Sequence, residues 1–366
     1  MIRVLHVIGK MDRAGAETMI MNIYRNIDRS RVQFDFLVFS DEEADYDKEI
    51  ESLGGRIYRM PVFKGYNYLS LYRRFQKFFK ERPYQIVHGH IGILSQAYLK
   101  CAKKAGAYTI AHSHGPISDI TKERIIYKVL TYKVPGIADY FFGCSEEAGI
   151  ERFGKKVVNS SKFKMIRNAI EGEKFIYTKE RQIGLKQKFG LENKVVLGHV
   201  GRFIETKNHV FIVEIFEKLC EFNSDFALVL VGNGEKESQI KAIVSEKGLT
   251  EKVYFMGVRN DIPDMMNLFD AFVFPSFYEG LAVASVEAQA AGLPCFFSDR
   301  ITEDSLITPN AWRYPLEIGA EQWSENILQI LGKFERQNTY QEIVESGFDV
   351  VYSAKEIEEF YIAHSV

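Results

Sequence analysis

The stretch DAFVFPSFYEGLAVASVEAQAAGLPCFFSD, residues 270–299, decides the fold. It opens on a short apolar run that stops at Pro275 and closes on a second that follows Gly292 and Pro294. Short apolar runs without alternation suit strands buried on both faces, the environment of a parallel sheet. The small apolar residues between them read as a helix from about Leu281, which makes a strand–helix–strand unit. Two glutamates, Glu279 and Glu287, bracket the turn from strand to helix. With a rise of ~1.5 Å per residue they stand roughly 12 Å apart. Paired carboxylates that hydrolyse a glycosidic bond stand ~5–9.5 Å apart, so the spacing does not suit hydrolysis. It suits two hydrogen-bond anchors on one long polar ligand, with an anion near the helix N-terminus between them. The competing reading is a plain helix start with one stray acid.

The same alternation extends outward in both directions. IRVLHVIG, VQFDFLVFS, IYRMPV, YQIVHGH, YTIAHSHG and DYFFGCS read as short strands with helical stretches between them. The series pauses near FKMIRNAIEGEKFI (163–176) and restarts with KVVLGHVGR, FALVLVGNG, VYFMG and DAFVFPS. The expected architecture is therefore α/β with two doubly wound, Rossmann-like domains, 1–168 and 169–345, and a final segment, 346–366, whose amphipathic helix KEIEEFYIAHS (355–365) packs back on the first domain. A chain of 366 residues is ample for two cores. In such folds ligands bind beyond the carboxyl ends of the strands, so the cleft between two such domains is where chemistry is expected.

Composition narrows the class. Apolar residues make up 46% and charged residues 26%, as in ordinary globular protein. No apolar run is long enough to span a membrane, and the first residues are too charged for a signal peptide. Cys101, Cys144, Cys220 and Cys295 are far apart and form no CxxC, so they read as reduced core thiols of a cytoplasmic protein. Residues 1–170 hold 28 Lys and Arg against 18 Asp and Glu, although the whole chain has a net charge of -2. A basic first half and an acidic second half point to domains with different partners. Basic residues interleave with aromatics in 63–84 and 122–134, a pattern that suits either an anionic membrane surface or an ordinary amphipathic surface helix.

Several loops after strands carry chemistry. In GHVGRFIETKNH (198–209), Arg202 at the strand end and Lys207 at the start of the next helix, beside Gly201, suit a diphosphate. In GKMDRAGAE (9–17), Gly15 lets backbone approach a ligand, but there is no GxGxxG. His88, His90, His112 and His114 lie at two strand ends. With no acid or thiol close in sequence, they read as one cleft-lining histidine and three structural ones rather than as a zinc site. The DYD at 45–47 lies in a very acidic segment and reads as a solvated loop or helix start. No metal or other cofactor is expected.

The residues taken together resemble the retaining glycosyltransferases of family 4, which have the GT-B fold. PSFYEGLAVASVEAQAAGLP resembles the family's Glu-x7-Glu signature, and RAGAETMIMN, IVHGH, IAHSHG, IRNAIE, LVGNGE and FMGVRNDIPDMM resemble its other loops. CFFSDRITEDSLIT and AEQWSENI look most like the branch that builds bacterial exopolysaccharide and capsule. The resemblance implies a role for each matching position. Arg202 and Lys207 would hold the donor diphosphate, Glu279 the donor sugar and Glu287 the ribose. The Gly280, Leu281 and Ala282 amides would meet sugar and phosphate, and the backbone at Val258 and Arg259 would face the base. Gly15 would approach the diphosphate from the other domain. His114 would line the acceptor side, with His112 as its rival. Ala14, Ala169 and Ala282 replace residues that are usually Gly or, at 282, Gly or Pro.

The implied reaction transfers a sugar, without metal, from a nucleotide sugar, by family habit a UDP-sugar. The acceptor would be a glycan or a polyprenyl-diphosphate-linked sugar at the inner face of the plasma membrane, with no part for nucleic acid. Two other readings share the architecture. One is an epimerase acting at the 2-position of UDP-N-acetylglucosamine; the other is a nucleotide-sugar-binding partner subunit.

Overall fold

The computed structural model describes residues 1–115, 127–279 and 282–365. The chain forms two compact units, one of Met1–Ala169 with Val350–Val366 and the other of Ile170–Asp349. Each is built on a wholly parallel sheet.

The first unit has seven strands: β1 (Ile2–Ile8), β2 (Val32–Val38), β3 (Ile57–Arg59), β4 (Ile86–Gly89), β5 (Tyr108–Ser113), β6 (Tyr140–Gly143) and β7 (Phe163–Met165). Their order in the sheet is β3-β2-β1-β4-β5-β6-β7. The order reverses between β1 and β4, the point at which open parallel sheets take ligands. Two buried layers cover the sheet, one of them including Phe34, Phe36 and Tyr24, the other Phe75, Phe79 and Tyr98. The strands are apolar on both faces because both are covered.

The helix Tyr68–Glu81 shows how the basic-aromatic pattern resolves. Leu71, Phe75, Phe78 and Phe79 are buried, while Arg73, Arg74, Lys77 and Lys80 are exposed. The acidic DYD is only partly a solvated loop. Asp47 opens the helix Asp47–Ser52 and is buried, because its carboxylate accepts from the Ala44 amide at 2.9 Å and pairs with Arg59 at 2.5 Å.

The last helix, Val350–Ala363, begins earlier than the apolar pattern suggests and packs on the helix Gly15–Asn26 of the first unit. Tyr361 is buried against Phe34 and donates to or accepts from His88 Nδ1 at 2.6 Å. Glu358 accepts from the Asp28 amide at 2.9 Å and from Arg31 at 2.6 Å, which ties the helix to the turn before β2.

The second unit has six strands: β8 (Val195–Val200), β9 (Phe226–Val231), β10 (Val253–Phe255), β11 (Ala271–Phe274), β12 (Cys295–Ser298) and β13 (Ala311–Tyr314). Their order is β10-β9-β8-β11-β12-β13, so the reversal lies between β8 and β11. The two apolar runs of residues 270–299 are β11 and β12, paired in parallel, and the helix between them is Val283–Ala290. It starts two residues later than the sequence suggests, and Gly280 and Leu281 lie outside the described residues.

Truncating Tyr361 to Ala removes an aromatic ring from a filled core and is expected to cost ~3–5 kcal/mol of stability. Urea unfolding of the wild type and Tyr361→Ala, followed by far-UV circular dichroism, measures the difference; a change below about 1 kcal/mol would show that the helix contributes little to the first unit.

Candidate functional site

In the second unit the strand-end loops of β8 and β11 meet at the reversal of strand order. Lys207, from the loop after β8, pairs with Glu279, from the loop after β11, with Nζ 2.5 Å from Oε1. The two side chains are 14% and 20% exposed, so the pair is largely out of water but open at one edge. The Lys207 ammonium also stands over the Phe274 ring at 4.4 Å. Lys207 is placed differently from expectation. It ends a 3-10 turn, Glu205–Lys207, and the helix His209–Phe222 starts only after Asn208. Asn208 takes a left-handed conformation, φ 54°, and its amide reaches the Pro275 carbonyl at 3.2 Å. That bond, with the Phe277 amide on the Thr206 carbonyl at 2.9 Å, joins the two loops.

Arg202 stands two residues beyond β8 and is exposed. The described residues give its guanidinium no hydrogen-bond or ion-pair partner. Gly201 leaves room for its neighbours: a methyl group there would lie 2.9 Å from His199 Nε2 and 3.5 Å from the Lys207 stem. The loop after β9 is tighter still. Gly232 has φ +135°, and a Cβ on it would sit 2.1 Å from the Gly201 carbonyl oxygen, so only glycine fits beneath the Arg202 loop.

Glu287 lies in the helix Val283–Ala290. Its residue keeps partial access to solvent, but protein crowds the carboxyl group and burial lifts it to about 7. No cation among the described residues pairs with it. Ala282, just before that helix, is buried with extended backbone. Val258 is 69% exposed, and Arg259 is engaged by Asp261 through its Nε at 2.7 Å, so at this pair the backbone rather than the guanidinium is free for a ligand. Phe277 and Tyr278 add exposed aromatic surface to the loop after β11. Sequence reading had passed over them; exposed aromatics directly beside a glutamate at a strand end were the available signal.

In the first unit, Gly15 is the first residue of the helix Gly15–Asn26, and a methyl group there would meet nothing within 4 Å. His114, just past β5, bonds through Nε2 to His90 Nδ1 at 2.7 Å. His112, its rival, bonds through Nδ1 to His88 Nε2 at 3.2 Å. These bonds join the four strand-end histidines in two pairs. A fifth, His6 on β1, joins them through its Nδ1 to His90 Nε2 at 2.9 Å. The topology brings it there, because β1 neighbours β4 and registers His6 with His88. Burial pushes His6 and His114 down to about 3 and holds His88, His90 and His112 well below the ordinary imidazole value, so all five are neutral at neutral pH. His6 was missed because its strand was read only as apolar.

Comparison with known proteins agrees with this geometry. Residues 14–148 match the family described as glycosyl transferase 4-like domain, and residues 182–346 match glycosyl transferases group 1. The chain is 35% identical over 360 residues to the putative glycosyltransferase EpsF of Bacillus subtilis, covering 95% of this chain and 93% of that one. It is 28% identical over 319 residues to the UDP-Gal:alpha-D-GlcNAc-diphosphoundecaprenol alpha-1,3-galactosyltransferase of Escherichia coli, covering 80% and 78%. Its fold is similar to that of Anabaena Alr3699/HepE, solved in complex with UDP, with a TM-score of 0.80, 18% identity and coverage of 99% and 100%. Two doubly wound parallel sheets, a signature loop pair at the switch point of the second, and relatives matched along nearly the whole length lead to one conclusion: the chain belongs to the family 4 type of glycosyltransferases and has the GT-B fold.

Proposed function

We propose that the protein transfers a hexose, with retention and without a metal ion, from a UDP-sugar to a glycan or a polyprenyl-diphosphate-linked sugar in exopolysaccharide or capsule synthesis. The observation that carries this reading is the Lys207–Glu279 pair at the switch point, with Arg202, whose guanidinium has no partner among the described residues, on the same loop as Lys207. Arg202 and Lys207 take the two phosphates. When Lys207 turns from Glu279 to phosphate, Glu279 is freed to accept from the sugar hydroxyls. Glu287 accepts from the ribose hydroxyls, the backbone of Val258 and Arg259 meets the base, and the Gly280, Leu281 and Ala282 amides meet sugar and phosphate. Gly201 keeps the Arg202 loop low, and Gly15 keeps a side chain out of the diphosphate's way. His114 lines the acceptor side, with His112 beneath it.

In the reaction the bond from the anomeric carbon to the leaving phosphate oxygen breaks. The acceptor oxygen bonds to that carbon on the same face, and its proton passes to the departing phosphate. The protein's part is positioning and charge stabilisation rather than covalent attack. The Escherichia coli relative, named for a UDP-Gal donor and a diphosphoundecaprenol-linked acceptor, supports the donor and acceptor classes. An open pocket in the first unit, lined by Asp41, Lys64, Tyr66, Asn67 and Arg74, supplies the mixture of aromatic and charged groups that a sugar on a diphosphate would need. No helix among the described residues is long and apolar enough to cross a membrane. Contact with a lipid-borne acceptor is assigned to the surface of 63–84, where Tyr66 and Leu69 are exposed beside Arg73, Arg74, Lys77 and Lys80, and to 122–134, where Val129 and Tyr132 are exposed. Residues 122–126 of the latter lie outside the described residues.

The direct test measures nucleotide release from UDP-, GDP-, ADP- and CDP-sugars, with and without membrane-extracted lipid acceptor and in the presence of a chelator. Release from one donor, raised by the lipid and lost in Glu279→Ala, is expected; a product isomer formed without release would replace the reading by epimerisation. Arg202→Ala and Lys207→Ala are each expected to lower kcat ~100- to 1,000-fold, equivalent to ~2.7–4 kcal/mol. Wild-type turnover in both would remove the phosphate from these residues.

A protonated Glu287 is a poor acceptor for ribose hydroxyls, and its carboxyl group sits at about 7 in the free protein. The donor KM is therefore expected to fall as pH rises from about 6 to about 8 and then level, and Glu287→Gln should abolish that trend. Flotation with anionic liposomes tests the membrane surface: salt-sensitive binding is expected, weakened in a variant with Arg73, Arg74, Lys77 and Lys80 changed to Gln.

A further inference from the structure

The four buried histidines His6, His88, His90 and His112 and the partly exposed His114 form two hydrogen-bonded series. One runs from His6 through His90 to His114, and the other from Tyr361 through His88 to His112. Each neutral imidazole carries one N–H and one bare nitrogen. His112 Nε2 and His114 Nδ1, the two ends nearest the carboxyl edge of the sheet, are buried and have no hydrogen-bond partner among the described residues. Their rings stack at 4.1 Å between centroids. Two orphaned nitrogens side by side represent a substantial unmet cost unless something binds them.

We infer that His90, His112 and His114 form a binding site for a first-row divalent transition-metal ion of the zinc class. One ring nitrogen from each lies within 4.8 Å of the others. Nitrogens bound to one such ion at ~2.0–2.1 Å stand ~3.3 Å apart, which a small rotation of the rings reaches. The outer groups are already in position. With the ion on His112 Nε2, the Nδ1–H donates to His88 Nε2, and His88 Nδ1–H donates to the Tyr361 oxygen. With the ion on His90 Nδ1, in place of that nitrogen's present bond to His114 Nε2, the Nε2–H donates to His6 Nδ1. Metal-bound imidazoles ordinarily have such second partners, which fix tautomer and ring direction. The triad His6, His88 and His90 also gathers three ring nitrogens. It is the weaker site, because all three of its rings are buried, whereas His114 is partly exposed and gives an entry path. All three ligands are neutral, and the Arg152 guanidinium, which donates to the His112 carbonyl at 3.1 Å, adds a like charge nearby. The affinity is therefore below that of a site with thiolate or carboxylate ligands. The inference does not depend on glycosyl transfer.

Titrating the purified, metal-stripped full chain with Co2+ tests it, with visible absorption and calorimetry as readouts. One Co2+ per chain, displaced by Zn2+, is expected. Binding should be lost in His112→Gln and in His114→Gln, and weakened ~10–100-fold in His88→Gln, which removes an outer partner. No saturable binding, or binding unchanged in the two ligand variants, would overturn the site. Should a variant fail to fold, X-ray absorption at the zinc edge of the wild type decides: a first shell with three imidazole nitrogens supports the site, and a shell without imidazole overturns it.

Discussion

A lysine and a glutamate held 2.5 Å apart, mostly out of water, are the contact on which the site of the second unit depends. Neither residue would be stable there alone, because a partly buried charge without its partner keeps the desolvation cost and loses the attraction. The pair exists because β8 and β11 are neighbours across the reversal of strand order, so the loops that leave them cannot avoid each other. Everything else in the loop layer serves that meeting. Asn208 accepts a left-handed backbone to join the loops, and Gly232 gives up a side chain so that the Arg202 loop can lie on it. Because the pair is exposed at one edge, a competing anion can reach the ammonium without unfolding its surroundings.

The first unit solves a different problem at the same kind of switch point. There the strand ends carry imidazoles rather than opposite charges. Burial keeps them uncharged, so they pack like aromatic residues while retaining directed donors and acceptors. His6 against Phe34 at 4.2 Å and His88 against Phe142 at 5.4 Å show the same rings filling core space. One sheet thus carries fixed ionic charge at its strand ends, and the other neutral groups whose polarity can be reversed by moving protons along a series.

The fold was largely legible in the sequence because buried parallel strands leave short apolar runs that few other structures produce, and DAFVF and CFF are such runs. Arg202, Lys207 and Glu279 were legible as candidates because each lies in a loop after a recognisable strand, and Glu287 because of its spacing from Glu279. What escaped is lateral. Sequence spacing does not show that Lys207 and Glu279, on loops far apart in the chain, pair with each other, nor that His6 reaches His88 and His90. Those contacts follow from strand order, and strand order is set by the packing of whole helices against the sheet. The local ends of elements also escaped. The helix after Lys207 begins beyond Asn208, whose side-chain amide is bonded to the Pro275 carbonyl of the neighbouring loop, and that of residues 283–290 begins beyond Ala282.

The last helix belongs to the first unit, yet roughly 180 residues of the second unit separate it from β7. On the ribosome, at ~5–20 residues per second, that interval is ~9–36 s. For that time the nascent first sheet has emerged with the face that receives Tyr361 still bare, exposing Phe34 and His88. The second unit, contiguous in the chain, can close on itself before the first is complete. The order of completion is thus inside-out with respect to the order of synthesis, and the interval gives chaperones a defined apolar surface to guard until residue 361 arrives.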